Sequence, residues 1–496
     1  MASNPGQRGD EDKLLGPDFD RAFNPRSVAV VGASRASSGD SLGWRNPSGQ
    51  FIPYLQKLGY RGKIYPVNPK AAEILGLRAY PNLASLPETP DMVTVSVPAR
   101  FLAGVLGECA SIGALNVHVF TSGFSETATP EGIELEREVL EVAERGRLRL
   151  VGPNCLGIHS PRHRFSTIGE VKSKPGGAAF IAQSGGHSMD FIFRASDTGL
   201  GVSKVISFGN ALVLDSPDYL EYLAEDEDTK TIGMYLEGVK DGKRLLRLVK
   251  EINTIKPVII WKGGLTASGS RAAASHTASL TGQRQVWDAF FKQTGAVEAG
   301  SVEEIVGVMR AFTHLPRTRG NRVVLIGSGG GNSVAAADIC SGEGLDMTVL
   351  SQETSERLRE FIPDAGNSVR NPLDLSFMSN VRERQKQAAE VVTRDPAVDL
   401  VMMIPNLAEY TDSRGNTERA VAEEFACIAR DSTNGKPAVA VLSGQIRDPR
   451  IEIDHQRLQR EFDRVGALAY TSLRRACSSL ARFVAYHRRQ EALGDD

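Results

Sequence analysis

Cysteine is scarce in this sequence and is never paired in a short motif. The 496 residues include only five cysteines, and none forms a C-x-x-C pair: Cys109, Cys155, Cys340, Cys427 and Cys477. An odd number of scattered cysteines argues against a disulfide framework and against a zinc site. The cysteine content therefore favours a reducing compartment.

An excess of charge of one sign and long apolar runs are also absent. The 58 Lys and Arg residues nearly balance the 60 Asp and Glu residues, which leaves a formal net charge of −2. Without a basic stripe, a nucleic-acid partner is not expected. No apolar run is long enough to span a bilayer, and the polar N-terminal segment lacks the apolar core of a signal peptide. We therefore expect a cytoplasmic protein that does not contact a membrane.

Two common nucleotide-binding motifs are missing. The Gly-Lys pairs that begin at residues 62, 242 and 435 are not followed by Ser or Thr, so no G-x-x-x-x-G-K-S/T motif occurs. A complete G-x-G-x-x-G is absent as well. These absences argue against a P-loop and weaken the case for a dinucleotide site.

Short apolar runs alternate with amphipathic stretches along the chain, and the pattern restarts after residue 153 and after a polar segment at 313–321. Apolar strands separated by helices are typical of parallel sheets covered on both faces. The predicted fold is α/β, with three consecutive doubly wound domains. The predicted strands are 27–32, 62–67, 92–97, 116–121 and 148–152, then 177–182, 202–207, 231–236 and 257–262, then 322–327, 345–350, 399–404 and 437–442. The predicted boundaries are a disordered tail at 1–22 and domains at 23–150, 151–316 and 317–490.

Two turns of the first domain are candidates for binding a phosphorylated ligand. Gly32-Ala33-Ser34 ends the first strand, and its backbone N–H groups could hold a diphosphate, although a plain tight turn fits the same residues. The second strand ends at Asn68-Pro69-Lys70, where a dinucleotide site usually has Asp or Glu for the ribose hydroxyls. A cation suits a ribose phosphate, as in CoA, better than it suits NAD. A solvated turn lysine is the alternative.

The middle domain offers a second phosphate-binding candidate. Gln183-Ser184-Gly185-Gly186 follows an apolar strand and opens a predicted helix. The free N–H groups and the dipole of a helix N-terminus favour an anion, and the glycines allow its close approach. An ordinary strand-to-helix turn would use the same residues.

One histidine stands in a segment of small residues, 269–282, which is predicted as a mobile loop. Although a lone histidine is more often structural, a neutral imidazole such as that of His276 is nucleophilic and can form a covalent phosphoryl intermediate. Its second nitrogen needs an acceptor. Glu237 ends a predicted strand of the same domain, and such strand ends cluster at one sheet edge, so Glu237 could face His276. A solvated glutamate is the alternative.

Together these segments resemble the ADP-forming acetyl-CoA synthetase family and, more distantly, the alpha subunit of succinyl-CoA synthetase. The resemblance runs from Phe23 onward and implies an N-terminal Rossmann-like, CoA-binding domain followed by two flavodoxin-like, succinyl-CoA-synthetase-like domains. The segments that carry it occur in the family's order: FNPRSVAVVGAS (23–34), GKIYPVNP (62–69), VGPNCLGI (151–158), QSGG (183–186), DTKTIGMYLEG (228–238), AAASHTASLTG (272–282), GSGGGNSVAAADIC (327–340) and NPLDL (371–375).

The resemblance implies roles for individual residues. His276 matches the transiently phosphorylated histidine, and Glu237 matches the glutamate that orients it. Phosphate would be held by Ser184, Gly185 and Gly186, with Asn154 near the active centre. The residues that lie where the family binds CoA are Gly32, Ala33, Ser34, Asn68, Pro69, Lys70, Val97, Pro98, Ser122 and Gly123.

The implied enzyme is an acid–thiol ligase. It interconverts a carboxylic acid, CoA and ATP with acyl-CoA, ADP and phosphate, through an acyl phosphate and a phosphohistidine. Nucleotide use in the family needs an ATP-grasp domain of roughly two hundred residues, which is not expected after the third domain. We therefore expect ATP or ADP with Mg to bind a separate beta-type subunit in a hetero-oligomer.

The sequence departs from the family pattern at two positions. Ala278 stands where the family commonly has glycine, and His187 stands where it usually has a small residue. Both departures bear on rate and substrate preference. A non-catalytic CoA-binding or regulatory module is the first alternative, although the presence of His276 and Glu237 argues against it. An NAD-dependent oxidoreductase rests on fold analogy alone. The acid, the choice of ATP or GTP, the direction and the stoichiometry stay open.

Overall fold

The computed structural model describes residues 17–34, 49–277, 282–318, 320–327, 329–375, 380–405, 417–442 and 455–494. The chain divides into two compact units, Met1–Phe193 with Gly201–Val302 and Arg194–Leu200 with Glu303–Asp496. In the described ranges the first unit contains two large sheets and a two-stranded hairpin, and the second unit contains one large sheet, so the predicted α/β fold with three parallel-sheet domains is confirmed. No helix in the described ranges is both long and apolar enough to cross a bilayer.

The first sheet has five parallel strands in the order β2-β1-β5-β6-β7. Its strands, together with the small antiparallel hairpin β3–β4, are β1 (Ser27–Val31), β2 (Lys63–Val67), β3 (Glu73–Ile74), β4 (Leu77–Arg78), β5 (Met92–Val95), β6 (Asn116–Val119) and β7 (Arg149–Val151). The helices of this domain are α1 (Phe51–Leu58), α2 (Leu102–Ser111) and α3 (Pro130–Arg145).

The second sheet has seven strands in the order β14-β13-β12-β10-β11-β8-β9, of which β8 and β9 pair antiparallel. The strands are β8 (Gly157–Ser160), β9 (Phe165–Ser166), β10 (Pro175–Ala182), β11 (Val202–Ser207), β12 (Thr231–Leu236), β13 (Val258–Lys262) and β14 (Val297–Ala299). The helices are α4 (Gly185–Thr198), α5 (Ser216–Glu225), α6 (Gly242–Ile252), α7 (Ala267–Thr277) and α8 (Arg284–Thr294).

The third sheet is parallel, in the order β16-β15-β17-β18-β19. Its strands are β15 (Arg322–Ile326), β16 (Asp346–Met347), β17 (Leu400–Met403), β18 (Ala438–Val441) and β19 (Leu468–Tyr470). The remaining helices are α9 (Val302–His314), α10 (Gly330–Gly342), α11 (Gln352–Arg359), α12 (Val381–Val392), α13 (Thr417–Asp431), α14 (His455–Arg464) and α15 (Leu473–Gly494).

Burial on both faces explains the composition of the central strands. All five residues of β1 (SVAVV) and all six of β12 (TIGMYL) are buried. Apolar and β-branched residues satisfy both faces of a covered parallel sheet. In-register pairing, such as that of Val31 with Val95 and of Leu236 with Lys262, places the following turns at one edge of each sheet.

The segment that carries His276 is largely helical. The prediction of a mobile loop over 269–282 is wrong for residues 269–277, because α7 spans Ala267–Thr277. Three consecutive alanines (residues 272–274), which have the highest helix propensity, outweigh the small residues before them. Ala278 lies outside the described residues.

An aromatic contact anchors the start of the described chain. Pro17–Ala22 forms a short 3-10 helix, and Phe19 is buried. The ring of Phe19 packs edge-on against Phe23 and Tyr222, with centroid distances of 5.4 and 5.3 Å. The prediction of a disordered tail over 1–22 is therefore wrong from residue 17 onward, and residues 1–16 lie outside the described ranges.

A buried ion pair in the second domain should contribute to stability. Lys204 Nζ lies 2.7 Å from Asp226 Oδ1, and the two side chains are only 3% and 11% exposed. Burial opposes ionisation of Asp226, but hydrogen bonds from Lys204 and Thr229 outweigh it and hold the pKa below its usual value. We expect Asp226→Ala to lower the free energy of unfolding at neutral pH by about 3 kcal/mol, because it leaves a buried cation unpaired. Urea denaturation followed by circular dichroism measures this loss.

The same variant should show a defined pH dependence. Because the folded pKa of Asp226 is lowered, its stabilisation is complete above the unfolded pKa, about 3.9, and is lost as pH falls through the folded value. The difference between wild type and variant should therefore shrink below about pH 4. Glu134→Ala, which breaks an exposed pair with Arg137, is the matched control and should cause no measurable loss. An equal loss in the two variants would contradict the assignment.

Candidate active site

Glu237 directly follows β12 and is held through both its side chain and its main chain. The residue is 5% exposed. The Tyr235 hydroxyl donates to Glu237 Oε1 at 3.1 Å. Gln183 Oε1 accepts from the N–H groups of Glu237 and Gly238, the latter at 2.9 Å. Lys262 Nζ donates to the Glu237 carbonyl at 2.8 Å. The carboxylate is therefore placed at the edge of the second sheet with little conformational freedom.

Lys262, the last residue of β13, is a buried lysine with 4% exposure. Its Nζ also donates to the Gly263 carbonyl and lies 5.3 Å from the centre of the Trp287 ring. Burial lowers the pKa of Lys262 to about 8, and the charge of Glu237 opposes this shift. The side chain is therefore mostly protonated at neutral pH and places a cation beside Glu237.

The predicted phosphate turn lies at the amino end of α4, which follows β10 and therefore begins beside the end of β12. Ser184 Oγ accepts from the N–H of His187 at 3.3 Å. A Cβ on Gly185 would lie 2.7 Å from Leu156 Cγ, so glycine lets the turn around Asn154 pack against the helix start. The N–H groups of this first turn and the helix dipole favour an anion.

His187 belongs to an aromatic cluster over the ends of β12 and β13. Its ring centroid lies 4.4 Å from that of Tyr235 and 4.6 Å from that of Trp261. Burial, reinforced by the charge of Glu237, raises the pKa of Tyr235 well above its usual value, so its hydroxyl keeps the proton that it donates. The histidine thus fills space that a small residue would leave open.

His276 lies in the last turn of α7, and its side chain is outside the described residues. The backbone of α7 comes within 8 Å, measured between Cα atoms, of the turn Ser125–Thr127 in the first domain. The helix that carries the histidine therefore lies beside the first sheet's carboxyl edge.

Asn154 links the two domains of the first unit. Its N–H donates to the Thr121 carbonyl at 2.9 Å, and its Nδ2 donates to Asn210 Oδ1 at 3.2 Å. Asn210 Nδ2 donates in turn to Glu126 Oε2 at 2.7 Å, and Glu126 Oε1 accepts from the N–H of Gly123 at 2.6 Å. A continuous chain of hydrogen bonds thus connects the turn beside α4 with Gly123, a predicted CoA-binding residue.

The turns after β1 and β2 lie side by side. The N–H of Gly32 donates to the Val67 carbonyl at 3.1 Å, and Asn68 Nδ2 donates to the Ala33 carbonyl at 2.8 Å. Asn68 Oδ1 also accepts from the N–H of Lys70 at 2.8 Å, and Lys70 is exposed. The structure therefore brings together the predicted residues of both turns: Gly32, Ala33, Ser34, Asn68, Pro69 and Lys70.

The turns after β5 and β6 complete this edge. Thr121 Oγ1 donates to the Val97 carbonyl at 2.7 Å, which joins the turn containing Pro98 to the one containing Ser122 and Gly123. Gly32 has a φ of +85°, and a Cβ there would lie 2.3 Å from the Ser96 carbonyl oxygen. Only glycine permits this close approach between neighbouring turns.

Sequence reasoning missed four residues of this arrangement: Glu126, Asn210, Tyr235 and Lys262. Tyr235 and Lys262 lie in the predicted strands, and Asn210 closely follows one, so each carried a positional signal as a polar group near a strand end. Glu126 carried none. Among the described residues, no cluster of three or more His, Cys, Asp or Glu side chains could hold a metal ion.

Two family models match the chain in agreement with this geometry. A model described as a CoA binding domain matches residues 26–161. A model described as a succinyl-CoA ligase like flavodoxin domain matches residues 175–312. The first contains the turns after β1, β2, β5 and β6, and the second contains Glu237 and His276.

Similar proteins cover almost the whole chain. The alpha subunit of ADP-forming acetate–CoA ligase II from Pyrococcus furiosus is 35% identical over 472 residues, which is 92% of this chain and 98% of the relative. ADP-forming acetate–CoA ligase I from Archaeoglobus fulgidus is 36% identical over 413 residues, which is 82% of this chain but 58% of that longer protein. The solved dinucleotide forming acetyl-coenzyme A synthetase 1 from Ca. Korarchaeum cryptofilum, in complex with phosphate and ADP, superposes with a TM-score of 0.78 at 28% identity and covers 96% of this chain and 98% of that one. The resemblance seen in the sequence is confirmed: the chain belongs to the alpha-subunit family of ADP-forming acetyl-CoA synthetases, which are acid–thiol ligases.

Proposed function

We propose that this chain carries out the CoA-dependent half of an ADP-forming acyl-CoA synthetase reaction and holds the phosphoryl group on His276. The observation that carries the proposal is the buried carboxylate of Glu237, which is held at the strand edge beside the amino end of α4. A binding module for CoA would need no such carboxylate.

The proposed chemistry consists of two transfers. In the synthetic direction, phosphorylated His276 gives its phosphoryl group to a carboxylate oxygen; the N–P bond breaks, an O–P bond forms, and an acyl phosphate results. The sulfur of CoA then attacks the acyl carbon, and phosphate leaves with the electron pair of the C–O bond, while the thiol proton passes to phosphate or solvent. Ser184, Gly185 and Gly186 hold the phosphoryl oxygens through the first-turn N–H groups of α4.

Glu237 orients the imidazole in this scheme. A carboxylate that accepts the N–H of one ring nitrogen fixes the tautomer and leaves the other nitrogen as the nucleophile. It also stabilises the positive charge that the ring carries during phosphoryl transfer. Because the carboxylate is buried, this interaction is stronger than it would be in water.

The carboxyl edge of the first sheet would hold CoA. The match to a CoA binding domain over residues 26–161 supports this placement. Gly32 lets the turn after β1 pack closely against the turn after β5, and Lys70 supplies an exposed cation for the ribose phosphate. The hydrogen bonds from Gly123 to Asn154 would then align the thiol end of CoA with the phosphate turn.

The nucleotide would bind a partner chain. Relatives that this chain matches along nearly their whole length are named alpha subunits, which supports a separate beta-type, ATP-grasp subunit that carries ATP or ADP with Mg. The working enzyme would then be a hetero-oligomer.

Isotope labelling tests the phosphohistidine directly. The purified chain is mixed with radioactive inorganic phosphate and a panel of acyl-CoAs, with no nucleotide, and protein-bound label is measured. Because reversal of the two transfers places phosphate on the imidazole, we expect label that is stable in base and labile in acid. The label should be absent in His276→Ala, and in Glu237→Gln it should be lower by about tenfold or more. The acyl-CoA that labels best identifies the acid.

The matched control is His163→Ala, which removes a histidine of the same domain on the turn between β8 and β9. This variant should be labelled like wild type. If wild-type protein binds CoA but takes no label with any acyl-CoA, even with the partner subunit present, the chain is a non-catalytic CoA-binding module instead.

A second test addresses the CoA site. Glu126→Ala removes the carboxylate that accepts from the N–H groups of Gly123 and Phe124. Loss of such charge-assisted hydrogen bonds, each worth about 1.5 kcal/mol or more, should loosen the turn and raise the Kd for CoA about tenfold in isothermal titration calorimetry. Glu141→Ala, on the exposed face of α3, should leave the Kd unchanged. Equal affinity in both variants would remove Glu126 from the CoA site.

A further inference from the structure

We propose that Tyr235 and Lys262 are positioning residues for phosphorylation of His276, because together they fix the carboxylate and the main chain of Glu237. The inference rests on the proposed function and adds two residues to it. Neither side chain needs to touch the reacting atoms: Tyr235 acts through the carboxylate of Glu237, and Lys262 acts through the main chain of Glu237 and through its own positive charge.

Tyr235 fixes the carboxylate. Its hydroxyl donates to Glu237 Oε1 at 3.1 Å, and the residue is 8% exposed. The rings of His187 and Trp261 pack against the phenol with centroid distances of 4.4 and 4.6 Å, so the ring cannot turn away. A Cβ on Gly263 would lie 2.7 Å from the hydroxyl oxygen, so glycine leaves room for the hydroxyl. The packing thus defines one position for the donor and, through it, one orientation of the carboxylate.

Lys262 fixes the main chain. Its ammonium binds the carbonyl of Glu237 at 2.8 Å and that of Gly263, and so ties the end of β12 to the end of β13. No ion pair with Lys262 is found in the part of the chain that the structure describes. A buried ammonium that binds carbonyls and a ring face instead of a carboxylate is costly, and such buried, perturbed groups cluster at functional sites.

Lys262 also has an electrostatic effect. A phosphoryl group brings about two negative charges to a site that already contains the Glu237 carboxylate. The ammonium of Lys262, which is covered by the Trp287 ring, places one positive charge beside this carboxylate. It therefore offsets part of the repulsion that builds up when the histidine is phosphorylated.

The contacts of Tyr235 and Lys262 keep the Glu237 carboxylate in one position. A carboxylate that orients an imidazole must be held to a fraction of an ångström, because a displacement of about 1 Å can lower a rate roughly a hundredfold. Without the Tyr235 hydroxyl the carboxylate can rotate, and without Lys262 the turn after β12 loses its link to β13.

A double-variant cycle tests the inference in the full chain, with the labelled-phosphate assay and the acyl-CoA that labels wild type best. Tyr235→Phe and Lys262→Met are made alone and together with Glu237→Gln. We expect each single variant to lower the initial rate of labelling about tenfold while the half-saturating acyl-CoA concentration changes less than about twofold. In the Glu237→Gln background, Tyr235→Phe should change the rate less than about twofold, because it acts only through Glu237.

Two matched control variants lose a tyrosine hydroxyl or a lysine ammonium elsewhere in the second domain. Tyr222→Phe removes a hydroxyl that donates to Asp20 Oδ1 at 2.8 Å. Lys256→Met removes an ammonium that also binds two carbonyls, those of Leu223 and Asp226, but at the opposite end of β13. Both controls should label at the wild-type rate. Lys262→Arg should recover part of the rate lost in Lys262→Met, because it restores the cation.

The outcomes separate this inference from the function on which it rests. Wild-type protein that takes no label with any acyl-CoA, even with the partner subunit present, overturns both. A labelled wild type with Tyr235→Phe at the same rate, or with equal losses in the wild-type and Glu237→Gln backgrounds, overturns only the positioning role. Circular dichroism and CoA affinity are measured for every variant; Tyr235→Phe and Lys262→Arg decide the matter if Lys262→Met does not fold.

Discussion

Parallel pairing of the strands is the constraint on which the other features depend. Because strands of equal direction end at the same edge, turns far apart in sequence become neighbours. Val31 pairs with both Val67 and Val95, which brings three turns of the first domain together. Leu236 pairs with Lys262 in the second domain, so Glu237 meets the end of β13. The register therefore builds both the carboxyl edge of the first sheet, where we propose that CoA binds, and the surroundings of Glu237.

Burial of charge at the carboxyl edge of the second sheet would be unfavourable without dense hydrogen bonding. A carboxylate and an ammonium removed from water each lose hydration worth several kcal/mol. Here Tyr235 donates to the carboxylate of Glu237, and two carbonyls accept from the ammonium of Lys262. Gln183 satisfies the N–H groups of the same turn. This network explains how charged groups can be held rigidly and away from water at the site where we propose phosphoryl transfer.

The two domains of the first unit are joined by hydrogen bonds between polar side chains as well as by apolar packing. Asn154 donates to the Thr121 carbonyl of the first domain and to Asn210 of the second. Asn210 donates in turn to the carboxylate of Glu126, which also accepts from the N–H of Gly123. A bound CoA at the first edge and a phosphoryl group at the second would thus share one set of rigid contacts, which fits a reaction that joins them.

Part of this protein follows from local sequence alone. The long buried strands were predicted to within about three residues, because an apolar run such as SVAVV or TIGMYL has one stable environment. The strands β8 (GIHS), β9 (FS) and β14 (VEA) were missed, because each is short and contains polar residues, so no apolar run marks it. The helix at His276 was taken for a loop because its glycine and serine residues masked the propensity of its alanines.

The sequence by itself determined the three-domain α/β fold, the family, and the identities of Glu237 and His276 as candidates, because apolar periodicity and contiguous motifs are local properties. Only the tertiary structure decided that Tyr235, Lys262 and Gln183 surround Glu237. These residues come from three different strand ends up to 79 positions apart, 183 to 262. Their contacts arise from strand register and burial, which no single segment of the chain encodes.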